Sequence, residues 1–178
     1  GPSGAVYVAD RNNHRIQKFT TSGSFVGKFG SQGSAEGEFE HPSGVAEDAS
    51  GNVYVADSGN HRVQKFSSSG AVLDVLGAYG TRDGQFKSVS DIALDAQGNV
   101  YALDGANNRV QKFSPTGALL AKWGSQGTGQ GQFDAPVAIA ASPDGSIYVA
   151  DAGNSRVQKF SASGVFQSAW GKIGRAHV

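Results

Sequence analysis

The sequence contains no cysteine and no methionine. Without cysteine there can be no disulfide and no thiol nucleophile, and the redox compartment stays undecided. Without methionine the chain reads as a piece of something longer or as a trimmed one. Neither sign of charge is in excess, since 15 basic residues face 15 acidic ones. That balance removes the simplest basis for holding nucleic acid or an anionic membrane, both of which reward a basic surplus. No apolar run reaches the ~18 residues of a membrane span, and no charged-then-apolar leader is visible. Localisation therefore stays open.

Glycine, by contrast, is plentiful, at 26 of 178 residues. That is about twice its usual share. The glycines fall at regular places between apolar runs, which marks turns and not disorder.

The regularity is an internal repeat. Arg15, Arg62, Arg109 and Arg156 stand 47 residues apart, as do Asp10, Asp57, Asp104 and Asp151, and Tyr7, Tyr54, Tyr101 and Tyr148. Gly30, Gly77, Gly124 and Gly171 keep the same step, and so do Phe39, Phe86 and Phe133. Within one period the strand signals are short and punctuated. In the second copy they are GVAED (Gly44–Asp48), VYVAD (Val53–Asp57), RVQKF (Arg62–Phe66) and AVLDVLG (Ala71–Gly77). Turns at 49–52, 58–61 and 67–70 separate them. No segment carries a sustained 3.6-residue period, so no helix is expected.

Four short strands in a period in the forties predict an all-β chain of propeller blades, each a four-stranded antiparallel meander. The near-continuous apolar runs VYVA and IYVA fit strands covered on both faces. Phe29, Leu76, Trp123 and Trp170 share one repeat position and are expected to fill the space between blades. Residues 1–30 read as a partial blade, and 31–77, 78–124 and 125–171 as full repeats. This predicts an open arc or partial ring, with exposed edges that invite self-association. Residues 172–178 match nothing in the repeat. Back-translation of Ile173–Val178 resembles the start of a sequencing adapter, so an artefactual tail is expected.

The combined pattern P-S-G-V-A…G-N-V-Y-V-A-D…N-H-R-V-Q-K-F resembles the NHL repeat, named for Asn-His-Leu, over nearly the whole chain. The third letter of that name is Arg here. The resemblance implies a β-propeller, most often six-bladed; this chain carries about four repeats and reads as a fragment of a longer bacterial or environmental protein.

Candidate sites follow. The recurring NHRIQKF phrase and the Asp before it predict structural Asp–Arg pairs across a hairpin: Asp10–Arg15, Asp57–Arg62, Asp104–Arg109 and Asp151–Arg156. The alternative is a ring of arginines gripping an anion. Lys18, Lys65, Lys112 and Lys159 are expected to lay their stems over apolar surface. Some relatives of this family bind RNA, but clusters of bases-stacking aromatics among free basic residues are not evident, so nucleic acid is disfavoured. An amidating lyase of similar fold uses histidines near its channel. Here His14 and His61 give way to Asn108 and Ser155, and His41 stands alone, so no metal and no cofactor are expected. Asp48 and Asp95 read as turn caps and not calcium ligands, because Ser142 takes their place later. No nucleophile, base and orienting acid stand together, so a catalytic role has no residues to name.

What varies between repeats is more informative. The hairpin between strands two and three should open on the same side as the linkers between blades. Loops on a rigid scaffold commonly carry function. That face is expected to present His14, His61, Asn108, Ser155, Glu36, Glu38, Glu40, Arg82, Asp83 and Lys87 to a protein partner. The favoured reading is a non-catalytic binding or scaffolding module. The alternatives are a metal-dependent lyase or hydrolase with its site in the channel, and an RNA-binding domain.

Overall fold

The computed structural model describes residues 2–171, so the expected tail lies outside the described residues. Within them are 15 strands in four antiparallel sheets, each following chain order. The first sheet has three strands: β1 (Ala5–Asp10), β2 (Arg15–Thr20) and β3 (Phe25–Phe29). The second is β4 (Pro42–Glu47), β5 (Val53–Asp57), β6 (Arg62–Phe66) and β7 (Val72–Leu76). The third is β8 (Val89–Leu94), β9 (Val100–Asp104), β10 (Arg109–Phe113) and β11 (Leu119–Trp123). The fourth is β12 (Pro136–Ala141), β13 (Ile147–Asp151), β14 (Arg156–Phe160) and β15 (Phe166–Gly171). These are meander blades of a partial propeller, with no closed sheet.

The strands form where β-branched and aromatic residues run uninterrupted between turn residues. The bounds of β5 and β6 coincide with the VYVAD and RVQKF segments. β4 begins earlier than expected, at Pro42, and a bulge lies between Pro42 and Val45. Asp48 falls outside β4 because its carboxylate caps the next turn, accepting the N–H groups of Ser50 and Asn52 at 2.9 Å. Asp95 holds its turn the same way through Gln97 and Asn99.

The expectation of no helix needs correction at one scale. Single 3-10 turns occupy Arg11–Asn13, Ser58–Asn60 and Gly105–Asn107. Each bends a four-residue hairpin loop, and the residue that closes it is left-handed: His14, His61 and Asn108 have φ of 51°, 58° and 53°. Three-residue turns are too short to leave a periodic trace in sequence.

The core is divided by blade junction. One cluster joins Ile16 to Val53, Val55 and Phe66; a second joins Val63 to Val89 and Phe113; a third joins Val110 to Ile147 and Phe160. Phe29, Leu76 and Trp123 each pack into one of these junctions. Each fully buried aromatic contributes about 1.5–3 kcal/mol of apolar burial. β5 and β9 are buried along their whole length, which accounts for their unbroken apolar runs. Trp170 departs from expectation: it is 50% exposed, because no further sheet follows it among the described residues. It instead meets Tyr148 edge-on, with centroids 6.0 Å apart.

Candidate functional site

The recurring phrase builds a clamp on the incoming linker. Asp57 is fully buried, and one carboxylate oxygen accepts from Arg62 Nε at 2.8 Å, Asn60 Nδ2 at 2.9 Å and Gln64 Nε2 at 3.0 Å. Its other oxygen accepts the backbone N–H of Glu40 at 2.7 Å. Arg62 continues outward to the carbonyls of Ala35 and Glu38, and Asn60 to that of Gly33, while Gln64 donates to Glu38 O and accepts the Gly37 N–H. A charged guanidinium thus satisfies loop carbonyls that no strand pairs with.

The same wiring returns in the next two blades. Asp104 accepts from Arg109 at 3.1 Å, and Asp151 from Arg156 at 2.7 Å. Arg109 donates to the carbonyls of Thr81, Arg82 and Gln85, and Arg156 to those of Thr128, Gly129 and Gln132. In the first blade Asp10 gathers Asn13, Arg15 and Gln17 at the surface. Hydrogen bonds from Asn13 and Arg15, with the Arg15 charge, hold the Asp10 carboxyl below its ordinary range.

Each linker also closes on itself. Phe39 donates its N–H to Ser31 O at 2.8 Å and accepts from Gly33 N at 3.1 Å. Gly30 makes the close approach possible: at φ +92°, any Cβ would run into the Phe39 ring. Gly77 against Phe86 and Gly124 against Phe133 repeat the device.

The lysine set sits differently from expectation. The ammonium groups of Lys18, Lys65, Lys112 and Lys159 lie over the rings of Tyr7, Tyr54, Tyr101 and Tyr148, at 4.9–5.7 Å. Lys112 also meets Asp95 at 3.4 Å. Burial raises the Asp95 carboxyl, but hydrogen bonds from Asn99 and Tyr101 and the Lys112 charge outweigh it, and the net shift is downward.

The residues expected at a partner face divide in two. Glu36, Arg82, Asp83, Lys87 and Ser155 are exposed. Asp83 pairs with Lys122 of β11, both about half exposed. His14, His61, Asn108, Glu38 and Glu40 are half-buried and engaged. Glu38 accepts the N–H of Ala35 at 3.0 Å, closing its own loop. The edited letter of the phrase reaches the next linker: His14 Nδ1 accepts from His41 N at 3.2 Å, and Asn108 Oδ1 from Ala135 N at 3.0 Å. His61 Nδ1 stands 2.7 Å from Lys87 O.

Two arrangements were not anticipated. His41 does not stand alone: potential ligand atoms of His14, Glu40 and His41 lie within 4.8 Å of one another. Asp91 lies on β8, where the repeat has Gly44 and Ala138. Burial pushes its carboxyl above the ordinary range, although Ile139 and Ile92 donate N–H bonds to it at 3.0 and 2.9 Å. A charged residue replacing Gly and Ala in register was the available signal.

These features define a repeat-built β-propeller segment. The chain belongs to the NHL repeat family, whose model matches residues 1–19, 39–66, 86–113 and 133–160. No curated protein matches it. Among solved structures it is similar to a streptogramin B lyase, at 17% identity and a TM-score of 0.70, over 97% of this chain and 52% of that one. It is similar to a catalytically inactive virginiamycin B lyase from Staphylococcus aureus with quinupristin, at 14% identity and a TM-score of 0.71, over 96% and 53%. A nidogen/laminin complex matches at 15% identity and a TM-score of 0.69, over 96% and 60%. The chain thus spans about half the length of the lyases. Identities this low establish the fold alone. No helix among the described residues is long and apolar enough to cross a membrane.

Proposed function

We propose that this chain is a non-catalytic binding module whose linker and hairpin face takes a protein partner. The observation that carries the reading is the division of labour on that face. The recurring Asp, Asn, Arg and Gln are consumed in pinning each linker. Glu36, Arg82, Asp83 and Lys87 remain exposed on those pinned loops, and they differ from one repeat to the next. A rigid loop layer with non-repeating charges is suited to reading one partner. The occurrence of a similar propeller in a complex of nidogen with laminin supports protein as the kind of partner. The same reading has the outer faces of the first and last sheets covered by a second copy of the chain.

The test is a photo-crosslinker at position 87, followed by binding measurements on the partner it identifies. The R82E/D83K variant should bind that partner about tenfold or more weakly. Unchanged binding would move the site off this face. A salt-dependent gel shift with RNA would favour a nucleic-acid role instead.

A further inference from the structure

Of the three blade junctions, one differs from its copies in a way the clamp does not require. At the junction between the second and third sheets the corresponding positions hold His61, Lys87 and Ser88; at the next they hold Asn108, Asp134 and Ala135. Only the first holds two imidazoles and a carboxylate: His14, Glu40 and His41. We infer that these three residues form a binding site for a divalent d-block cation such as Zn2+, joining the first hairpin to the linker that enters the second sheet.

The geometry supports that assignment in several ways. His41 Nδ1 lies 3.0 Å and His14 Nδ1 3.7 Å from the two oxygens of Glu40. The imidazole centroids are 4.7 Å apart, with the rings tilted and not stacked. His14 Nδ1 accepts an N–H bond, so in neutral His14 the lone pair points into the cluster and the proton sits on Nε2. At 3.2 Å that bond is long, and a metal would compete for the lone pair. Tetrahedral zinc, with bonds of roughly 2.0–2.2 Å to nitrogen and oxygen, sets its donors roughly 3.3–3.6 Å apart, so the wider separations in this cluster must shorten, while the His41–Glu40 pair is already that close. His41, 45% exposed in its side chain, has room to turn inward.

The frame around the donors is already fixed. Glu40 donates its N–H to Asp57 Oδ1 at 2.7 Å and accepts from Gly59 N at 2.8 Å, so its backbone is anchored on both sides. Gln32 Nε2 approaches the Glu40 carboxylate at 3.4 Å, as an outer partner of a metal ligand would. His41 itself is left-handed, at φ 51°. Imidazole and carboxylate donors together suit zinc and its d-block neighbours better than calcium or magnesium, which prefer oxygen. Three protein ligands leave the fourth position to water on the exposed side.

The experiment is zinc titration of the untagged full chain by calorimetry, with the metal alone as probe. The expected result is one saturable site, weakened about tenfold or more in H14N, E40Q and H41N, and unchanged in H61N and H177N. Asn is native to the position at Asn108, where it takes the same backbone conformation and the same bond, so H14N should fold. Excess magnesium should not compete. Absence of saturable zinc binding in the native chain would overturn the inference. So would binding that survives H14N and H41N.

Discussion

Asn108 sits in the left-handed region at φ 53°, and its side-chain oxygen accepts the N–H of Ala135, a residue 27 positions later in the next linker. One residue therefore closes a hairpin and secures the neighbouring loop. His14 takes the same backbone conformation and makes the same kind of bond to His41. The freely edited letter of the recurring phrase is constrained by this geometry, because few side chains tolerate positive φ and can also reach across.

Substitution at Asn108 should separate the two roles. N108A loses both, and is expected to cost about 1–2 kcal/mol in urea unfolding. N108G keeps the backbone preference and loses only the bond, so it should cost less. Equal losses in the two variants would show that the left-handed conformation contributes nothing.

The half-buried carboxyl of Asp91 gives a pH signature. Its native pKa is raised by burial, so the native state holds the proton more tightly than the unfolded chain does. The associated stabilisation is full below the ordinary Asp range and is lost as pH rises through the raised native value. Against D91N, the native chain should therefore lose relative stability as pH rises above the ordinary Asp range of about 4. A pH-independent difference between the two unfolding curves would contradict this.

The outer face of the first sheet carries the proposed pairing. Val6 and Val8 are 45% and 42% exposed, whereas Val53 and Val55 at the same repeat positions are 1% and 0% exposed. Light scattering should find the native chain associated, and V6K/V8K shifted toward monomer. A compact monomer at all concentrations would remove the pairing.

Much of this was legible in sequence, for identifiable reasons. VYVAD and RVQKF are bounded by turn residues and repeat in fixed register, so β5 and β6 could be placed to the residue. The Asp–Arg spacing placed both residues at one hairpin mouth, where they face as a strand pair. The reach of Arg62 onto linker carbonyls was not legible, since it depends on how a loop 27 residues earlier curls. The same distance hid the meeting of His14 with His41. Trp170 was misread because repeat position alone does not say whether another sheet follows.

The recurring phrase is scaffold, whereas Glu36, Arg82, Asp83 and Lys87 are surface. The most direct test compares the unfolding free energies of D104A and R82E/D83K. D104A removes a fully buried carboxylate on which Arg109, Asn107 and the Lys87 and Ser88 N–H groups converge. The expected loss is about 3–5 kcal/mol. R82E/D83K exchanges exposed charges and should stay within about 1 kcal/mol of the native chain. A D104A chain as stable as the native one, or an R82E/D83K chain as unstable as that predicted for D104A, would contradict the account.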